Sequence, residues 1–248
     1  MLIPAQTIYK YLNITPKTIL HIGAHLGEEY NDYKKLGWGS NLTIWVESEP
    51  DLVLQLKNKL DLANNLVILC TAWSQTGLTL NFNVTSNSQS SSLLELDLHK
   101  TLYPEISVIK TIPKITQRID EILPSGFSPE FLNLDIQGVE KEALIGCGDL
   151  LQDVKYIYSE VNKVSVYQNC TMVWDLDEYL SNIGFRRILT SWHENDGWGD
   201  ALYVNFKKVK ISKIRVLRAK FFLFIIKYKK IFFYFRQIFN KINRILRS

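Results

Sequence analysis

Residues 20–29 read Leu-His-Ile-Gly-Ala-His-Leu-Gly-Glu-Glu, LHIGAHLGEE, directly after TPKTI at 15–19. An apolar strand from about Thr18 runs into Gly23, where the chain can turn sharply, and Gly27 lets a following helix pack close to the sheet. His25 stands between the two glycines, and histidine tolerates positive φ better than most residues, so the loop can still bend around a ligand. In open α/β sheets a loop of this kind lies beyond the carboxyl end of the first strand, where ligands bind.

Working outward, apolar runs of strand length alternate with segments of helical period. Strands are expected at 18–23, 42–47, 66–70, 131–135, 154–160, 184–190 and 200–206, and helices at 4–12, 28–36, 50–60, 115–123, 139–147 and 172–182. Residues 71–130 are too long for a bare connection and hold GLTLNFNV, a Ser-rich stretch and ISVIKTI, so they are read as an insertion with strands of its own. Alternating βα units imply a parallel sheet with right-handed crossovers. The last two strands are separated only by SWHENDGWG, too few residues for a crossover helix, so they are expected to pair antiparallel at the sheet edge. This arrangement resembles the class I methyltransferase variant of the Rossmann-like α/β fold.

Composition narrows the setting. The 248 residues are 46% hydrophobic, enough for one sizeable core. Cys70, Cys147 and Cys170 show no C-x-x-C spacing and are read as buried free thiols. The first residues lack a basic segment followed by an apolar one, so no signal peptide is expected and the chain is assigned to the cytoplasm, or to the cytoplasmic face of a membrane. Residues 207–248 hold 14 of the 29 Lys and Arg and no acid, which leaves 15 basic against 25 acidic residues, net −10, in residues 1–206. A catalytic domain at 1–206 and a basic tail at 207–248 follow.

For the glycine loop, the second and third glycines of a dinucleotide fingerprint are missing, and so is the Lys of a P-loop. His21 and His25 do not share a helix face, which argues against a metal site. An adenosine-containing cofactor without a pyrophosphate remains. Glu47 ends the second strand 20 residues after Gly27, where a carboxylate can accept ribose hydroxyls, and it is expected to be exposed there. Glu28, Glu29 and Glu47 together would repel a pyrophosphate but suit the sulfonium and ammonium of S-adenosylmethionine. The bland reading of Glu47-Ser48-Glu49-Pro50 is a helix N-cap.

HIGAHLGEE, WVESEPDLVLQLKNKL, FLNLDIQGVEKEALIGCGDLL and YIYSEVN resemble the FkbM-type S-adenosylmethionine-dependent methyltransferases over about residues 18–206. The resemblance implies O-methyl transfer to a sugar, glycan or natural product. It places Gly23, Ala24, His25 and Gly27 along the methionine part, Glu47 on the ribose, Thr71, Ala72 and Trp73 near adenine, and Asp135 facing the methyl group. The family pattern opens with an acid where this chain has His21, so Glu28 or Glu29 would replace it.

Methylating an alcohol requires alignment of the reactants and removal of a proton from a weak acid. Asp135 is the first candidate base, Glu160 the second and His193 the third. Their structural alternatives are a turn held by Asp135, a Glu160–Lys163 ion pair and an ordinary polar loop. Trp192 or Trp198 could serve as a platform for a sugar face, with His193, Glu194 or Asp196 on its hydroxyls. A nucleic-acid methyltransferase and a non-catalytic adaptor of the same fold are the rival readings. The acidic domain and the lack of an amine-methylating Asn/Asp-Pro-Pro-Tyr/Phe motif speak against nucleic acid.

In the tail, Leu217, Phe221, Phe224, Tyr228, Ile231, Phe235, Ile238 and Ile242 recur in steps of four and three, the spacing of one helical stripe. The longest uncharged apolar run, FFLFII at 221–226, is too short to span a bilayer, so the tail is expected to lie on an anionic membrane surface. A coiled-coil seam and a helix folded back on the domain are the other arrangements.

Overall fold

Seven strands form one sheet in the order β3-β2-β1-β7-β8-β10-β9. They are β1 (Thr18–Ile22), β2 (Leu42–Glu47), β3 (Asn65–Leu69), β7 (Phe131–Leu134), β8 (Tyr156–Asn162), β9 (Phe185–Trp192) and β10 (Trp198–Asn205). The computed structural model describes residues 1–193 and 196–245, with side chains described as far as Lys229. Pairing is parallel from β3 through β8, whereas β10 runs antiparallel to both β8 and β9. The class I methyltransferase sheet with its antiparallel edge is thus present, and β9 points the same way as the parallel strands.

Alternation along the strands sorts side chains to the two faces. Leu20, Ile22, Ile44, Val46, Leu132 and Leu134 meet one helical layer. That layer contains α5 (Ile119–Ile122), α6 (Glu140–Gly146) and α7 (Val173–Asn182). Ile19, Trp45 and Phe131 meet the other. There α1 (Ala5–Thr7) continues as a π-turn at Ile8–Leu12, beside α2 (Tyr30–Leu36) and α3 (Pro50–Lys59). Pro50 opens α3, where its missing N–H costs nothing.

The insertion carries a second sheet in the order β4-β6-β5, formed by β4 (Thr71–Ala72), β5 (Thr79–Thr85) and β6 (Val108–Gln117), with α4 (His99–Leu102) between β5 and β6. The helix expected at 115–123 is corrected here: its first residues belong to β6, and only Ile119–Ile122 are helical. β-Branched Thr111, Ile112, Ile115 and Thr116 suit the strand that β5 and β4 complete from either side. Pro113 is tolerated because β4 pairs only with Thr116 and Gln117, leaving that edge open beside it.

The last helix, α8, runs Lys213–Ile245. Its first turns fold back onto the domain: Ala219 is fully buried, Val216 and Leu223 pack into the layer of α1–α3, and the Phe222 ring stands 4.9 Å from that of Tyr11. Leu217, Phe221, Phe224 and Tyr228 of the apolar stripe face solvent. Ile231, Phe235, Ile238 and Ile242 lie beyond the described side chains. The change in composition at Phe206 is therefore not a change in packing.

Candidate functional site

The carboxyl ends of β1, β2, β7 and β8, roofed by the insertion, surround a cavity of about 610 Å³. Chain geometry at its floor depends on Gly23. Its φ is +83°, and a Cβ there would stand 1.8 Å from the Asp135 carbonyl oxygen, so the exits of β1 and β7 approach each other only without a side chain. The Gly23 and Ala24 N–H groups both donate to the Val46 carbonyl, at 2.9 and 3.0 Å. His25 takes the positive φ expected of it, 44°. Gly27 admits Leu56, whose Cδ2 would lie 2.9 Å from an added Cβ. Gly23 and His25 line the cavity, while Ala24 is buried beneath it.

Glu47 corrects one expectation. It is buried, not exposed, because its carboxylate ties two chain segments together. Oε2 accepts the His25 N–H at 2.8 Å, and Oε1 accepts those of Ser48 and Glu49 at 2.7 and 2.9 Å. These bonds lie ahead of α3, whose N-cap residue Glu49 makes no side-chain capping bond, so the N-cap reading is not realised, and Oε2 retains a second lone pair. Thr71 and Ala72 line the cavity beyond it, as β4.

His25 also fastens the insertion. Its Nδ1 lies 2.6 Å from Glu28 Oε1 and its Nε2 2.8 Å from Ser88 Oγ in the Ser-rich loop. The Glu28 hydrogen bond raises the imidazole, and burial only partly opposes it. Burial alone would raise Glu28, but the bond to His25 and its charge take that carboxyl down to about 2. His21 borders the cavity from β1 but is buried, stacked on Trp45 at 4.9 Å, and lowered by desolvation.

Four acids gather around the ends of β7 and β8, beside the glycine loop. Asp135 follows β7 and is open to the cavity, though protein encloses it on its other sides. Burial, followed by the charge of Asp200, pushes it up to about 6. Glu160 on β8 is buried, and desolvation together with the charges of Asp135 and Glu140 raises it well above its ordinary value. Glu140 is fully buried, accepts the Gly138 N–H at 3.0 Å, and is pushed up to about 7 chiefly by desolvation. Asp200, opposite Glu160 in the β8–β10 register, accepts from the Tyr158 hydroxyl and the Leu2 N–H.

Gln137 joins them. Its Nε2 donates to Asp135 Oδ1 at 2.8 Å and to Glu160 Oε2 at 3.0 Å, while its Oε1 accepts from Tyr167. Its φ of 56° aims the amide between the acids. Asp200, Gln137 and Tyr167 were not foreseen. Gln137 stands in the DIQG turn after Asp135, a visible clue; Asp200 and Tyr167 reach the cavity only through β10 pairing and the insertion. Lys163 is not the partner of Glu160, for it lies 5.1 Å from the Trp192 ring centre.

His193 is a further correction. It is half-exposed, bonded through Nδ1 to Asp196 at 2.5 Å, and stacked on Trp198 at 4.6 Å with 7° between the rings. Trp198 lines the cavity, but His193 does not. Trp198 Nε1 donates to the Tyr103 hydroxyl at 3.1 Å, which in turn donates to Asp196, so the wall of the mouth is braced by the insertion. Trp192 faces away, in the groove between β9 and α8. Glu194 lies outside the described residues.

Eight carboxylate residues and no Lys or Arg line the cavity among the described residues. Such a wall attracts cations and repels phosphates.

A family model for the methyltransferase FkbM domain matches residues 21–187. Among solved structures, the chain is similar to an FkbM methyltransferase from Methylobacillus flagellatus at 16% identity and a TM-score of 0.50, over 75% of this chain and 43% of that one. The chain thus spans less than half the length of that relative. It is also similar to a SAM-dependent methyltransferase from Aquifex aeolicus, at 12% identity and a TM-score of 0.46 over 82% of this chain and 89% of the other. A magnesium protoporphyrin IX methyltransferase from Synechocystis, with bound SAM, matches at 13% identity and a TM-score of 0.43 over 75% and 69%. A search of curated proteins found no match.

Proposed function

The chain belongs to the FkbM methyltransferase family, and from that premise we propose that it methylates a hydroxyl of a sugar, glycan or glycosylated metabolite. S-adenosylmethionine is its cofactor, and the residues present fit it. An acidic cavity without Lys or Arg among its described lining residues suits a ligand carrying a sulfonium and an ammonium. Gly23 lets the exits of β1 and β7 close together and itself borders the cavity. In this reading Gly23 and His25 hold the methionine part, and the remaining lone pair of Glu47 Oε2 accepts a ribose hydroxyl. Thr71 and Ala72 border the adenine. Glu28 is engaged by His25, and Glu29, 3.5 Å from the Met1 amino group, is the other acid of the loop that can take the cofactor's ammonium.

Bound, the cofactor supplies a methyl group made electrophilic by the positive sulfur. The residues of the chain supply alignment and a base. Asp135 carries the assignment: it is accessible from the cavity and held near 6, so at neutral pH it is ionised yet basic enough to take the proton of an attacking hydroxyl. Asp135 would take and keep the proton of the acceptor hydroxyl, to which the bound cofactor would supply its methyl group. Glu160, also raised by burial and by its acidic neighbours, supports the site through Gln137. Trp198 offers an apolar face at the mouth for a sugar ring.

The same acidic wall disfavours a nucleic-acid acceptor, whose phosphates it would repel. Incubating the full chain with methyl-labelled S-adenosylmethionine and extracts of glycans, lipid-linked sugars or RNA tests the reading. Label in a sugar hydroxyl, lost with Asp135→Asn, supports it; label in RNA, or cofactor binding without transfer to any extract, overturns it.

A further inference from the structure

We propose that α8 is a membrane-docking helix that holds the protein against an anionic bilayer through its outward face, whatever acceptor the cavity takes. One face of its first turns is spent on the domain, where Val216, Ala219 and Leu223 are packed. At about 100° per residue, Leu217, Phe221, Phe224 and Tyr228 form a stripe well around the helix from that face. All four are exposed, Leu217 at 67% and Phe221 at 64%. Folding leaves them in water, where a row of large apolar side chains needs a partner.

Charge identifies the partner. By the same helical spacing Lys213, Lys220 and Lys227 run along one border of the stripe, and Arg215, Arg218 and Lys229 lie beyond its other border. No acid occurs in residues 207–248. A second copy of this helix would bring like charges together along both borders and has no carboxylate to offer them. A bilayer of anionic lipid meets both demands, taking the apolar stripe into its acyl boundary and the flanking cations among its headgroups. No helix among the described residues is long and apolar enough to cross a membrane, so the contact is in the plane of the surface. The helix is about 50 Å long at 1.5 Å per residue, ample for such a contact.

The full chain should be floated with vesicles of phosphatidylcholine alone and of phosphatidylcholine mixed with phosphatidylglycerol, beside two variants. Phe221→Ser/Phe224→Ser alters only exposed positions of the stripe, and Lys220→Gln/Lys227→Gln removes two cations from one border. The chain should float with the anionic vesicles and stay behind with the neutral ones. The stripe variant should lose at least tenfold in partitioning, and the border variant about thirtyfold. Thermal unfolding at the parent's temperature shows that both variants remain folded. Equal partitioning of parent and stripe variant overturns the proposal, as does failure of the parent to float. A stripe-dependent dimer or salt-sensitive RNA binding, either without any effect of lipid, does the same.

Discussion

Asp135 and Glu160 share one hydrogen-bond donor, the Gln137 amide nitrogen, which stands 2.8 Å from the first carboxylate and 3.0 Å from the second. Two acids this close resist joint ionisation, and the shared amide moderates the conflict without supplying charge. Gln137→Met removes that donor, so Asp135 should rise further. The acidic limb of the pH–turnover profile should move to higher pH, whereas a loss of activity with an unmoved limb would mean that Gln137 only shapes the turn.

Asp135→Asn keeps the shape and removes the base. Turnover should fall about 10²–10⁴-fold, with cofactor affinity by calorimetry within a few-fold of the parent. Glu160→Gln keeps the shape and leaves Asp135 as the base, so its turnover should stay within several-fold. If the Glu160 variant is the inactive one, the two acids exchange roles.

Glu140 couples stability to pH. Burial holds its carboxyl near 7, above the value of about 4.3 in an unfolded chain. The folded state therefore binds more protons between those values, and stability falls as pH rises through that window. Glu140→Gln keeps an acceptor for the Gly138 N–H and removes the titration. Urea unfolding should find it more stable than the parent by up to about 4 kcal/mol at pH 8, with little difference at pH 4.

Glu47→Ala strands three backbone N–H groups, so it should weaken cofactor binding and also cost about 1–3 kcal/mol of stability. Glu47→Gln can still accept some of these bonds and separates the two effects. It should recover much of the stability and less of the affinity, measured by urea unfolding and calorimetry.

Much of the sheet could be read from the chain because its signals are local. TILHI and LTIWVE are continuous apolar runs, as parallel strands buried on both faces require, and SWHENDGWG is too short for anything but a hairpin. The glycine loop and DIQG announced themselves through residues that tolerate positive φ. Helix 115–123 misled because Ile115, Ile119 and Ile122 fit a helical period, while the pairing of β6 with β5 is invisible to a local window. His193 misled for another reason: strand direction puts its loop at the correct edge, but stacking on Trp198 decides which ring meets the cavity. Asp200 lies on a strand whose partner is set by topology, so no spacing in the sequence connects it with Glu160.

The burial of Val216, Ala219 and Leu223 has a consequence for modularity. A chain ending at Phe206 would lack the cover that α8 lays over the π-turn at Ile8–Leu12 and over Ile188 on β9, exposing apolar surface that the full chain keeps dry. Such a shortened protein would stick to itself, and to lipid, for reasons unrelated to the outward stripe. The helix is therefore not a cassette that can be moved to another enzyme or removed from this one.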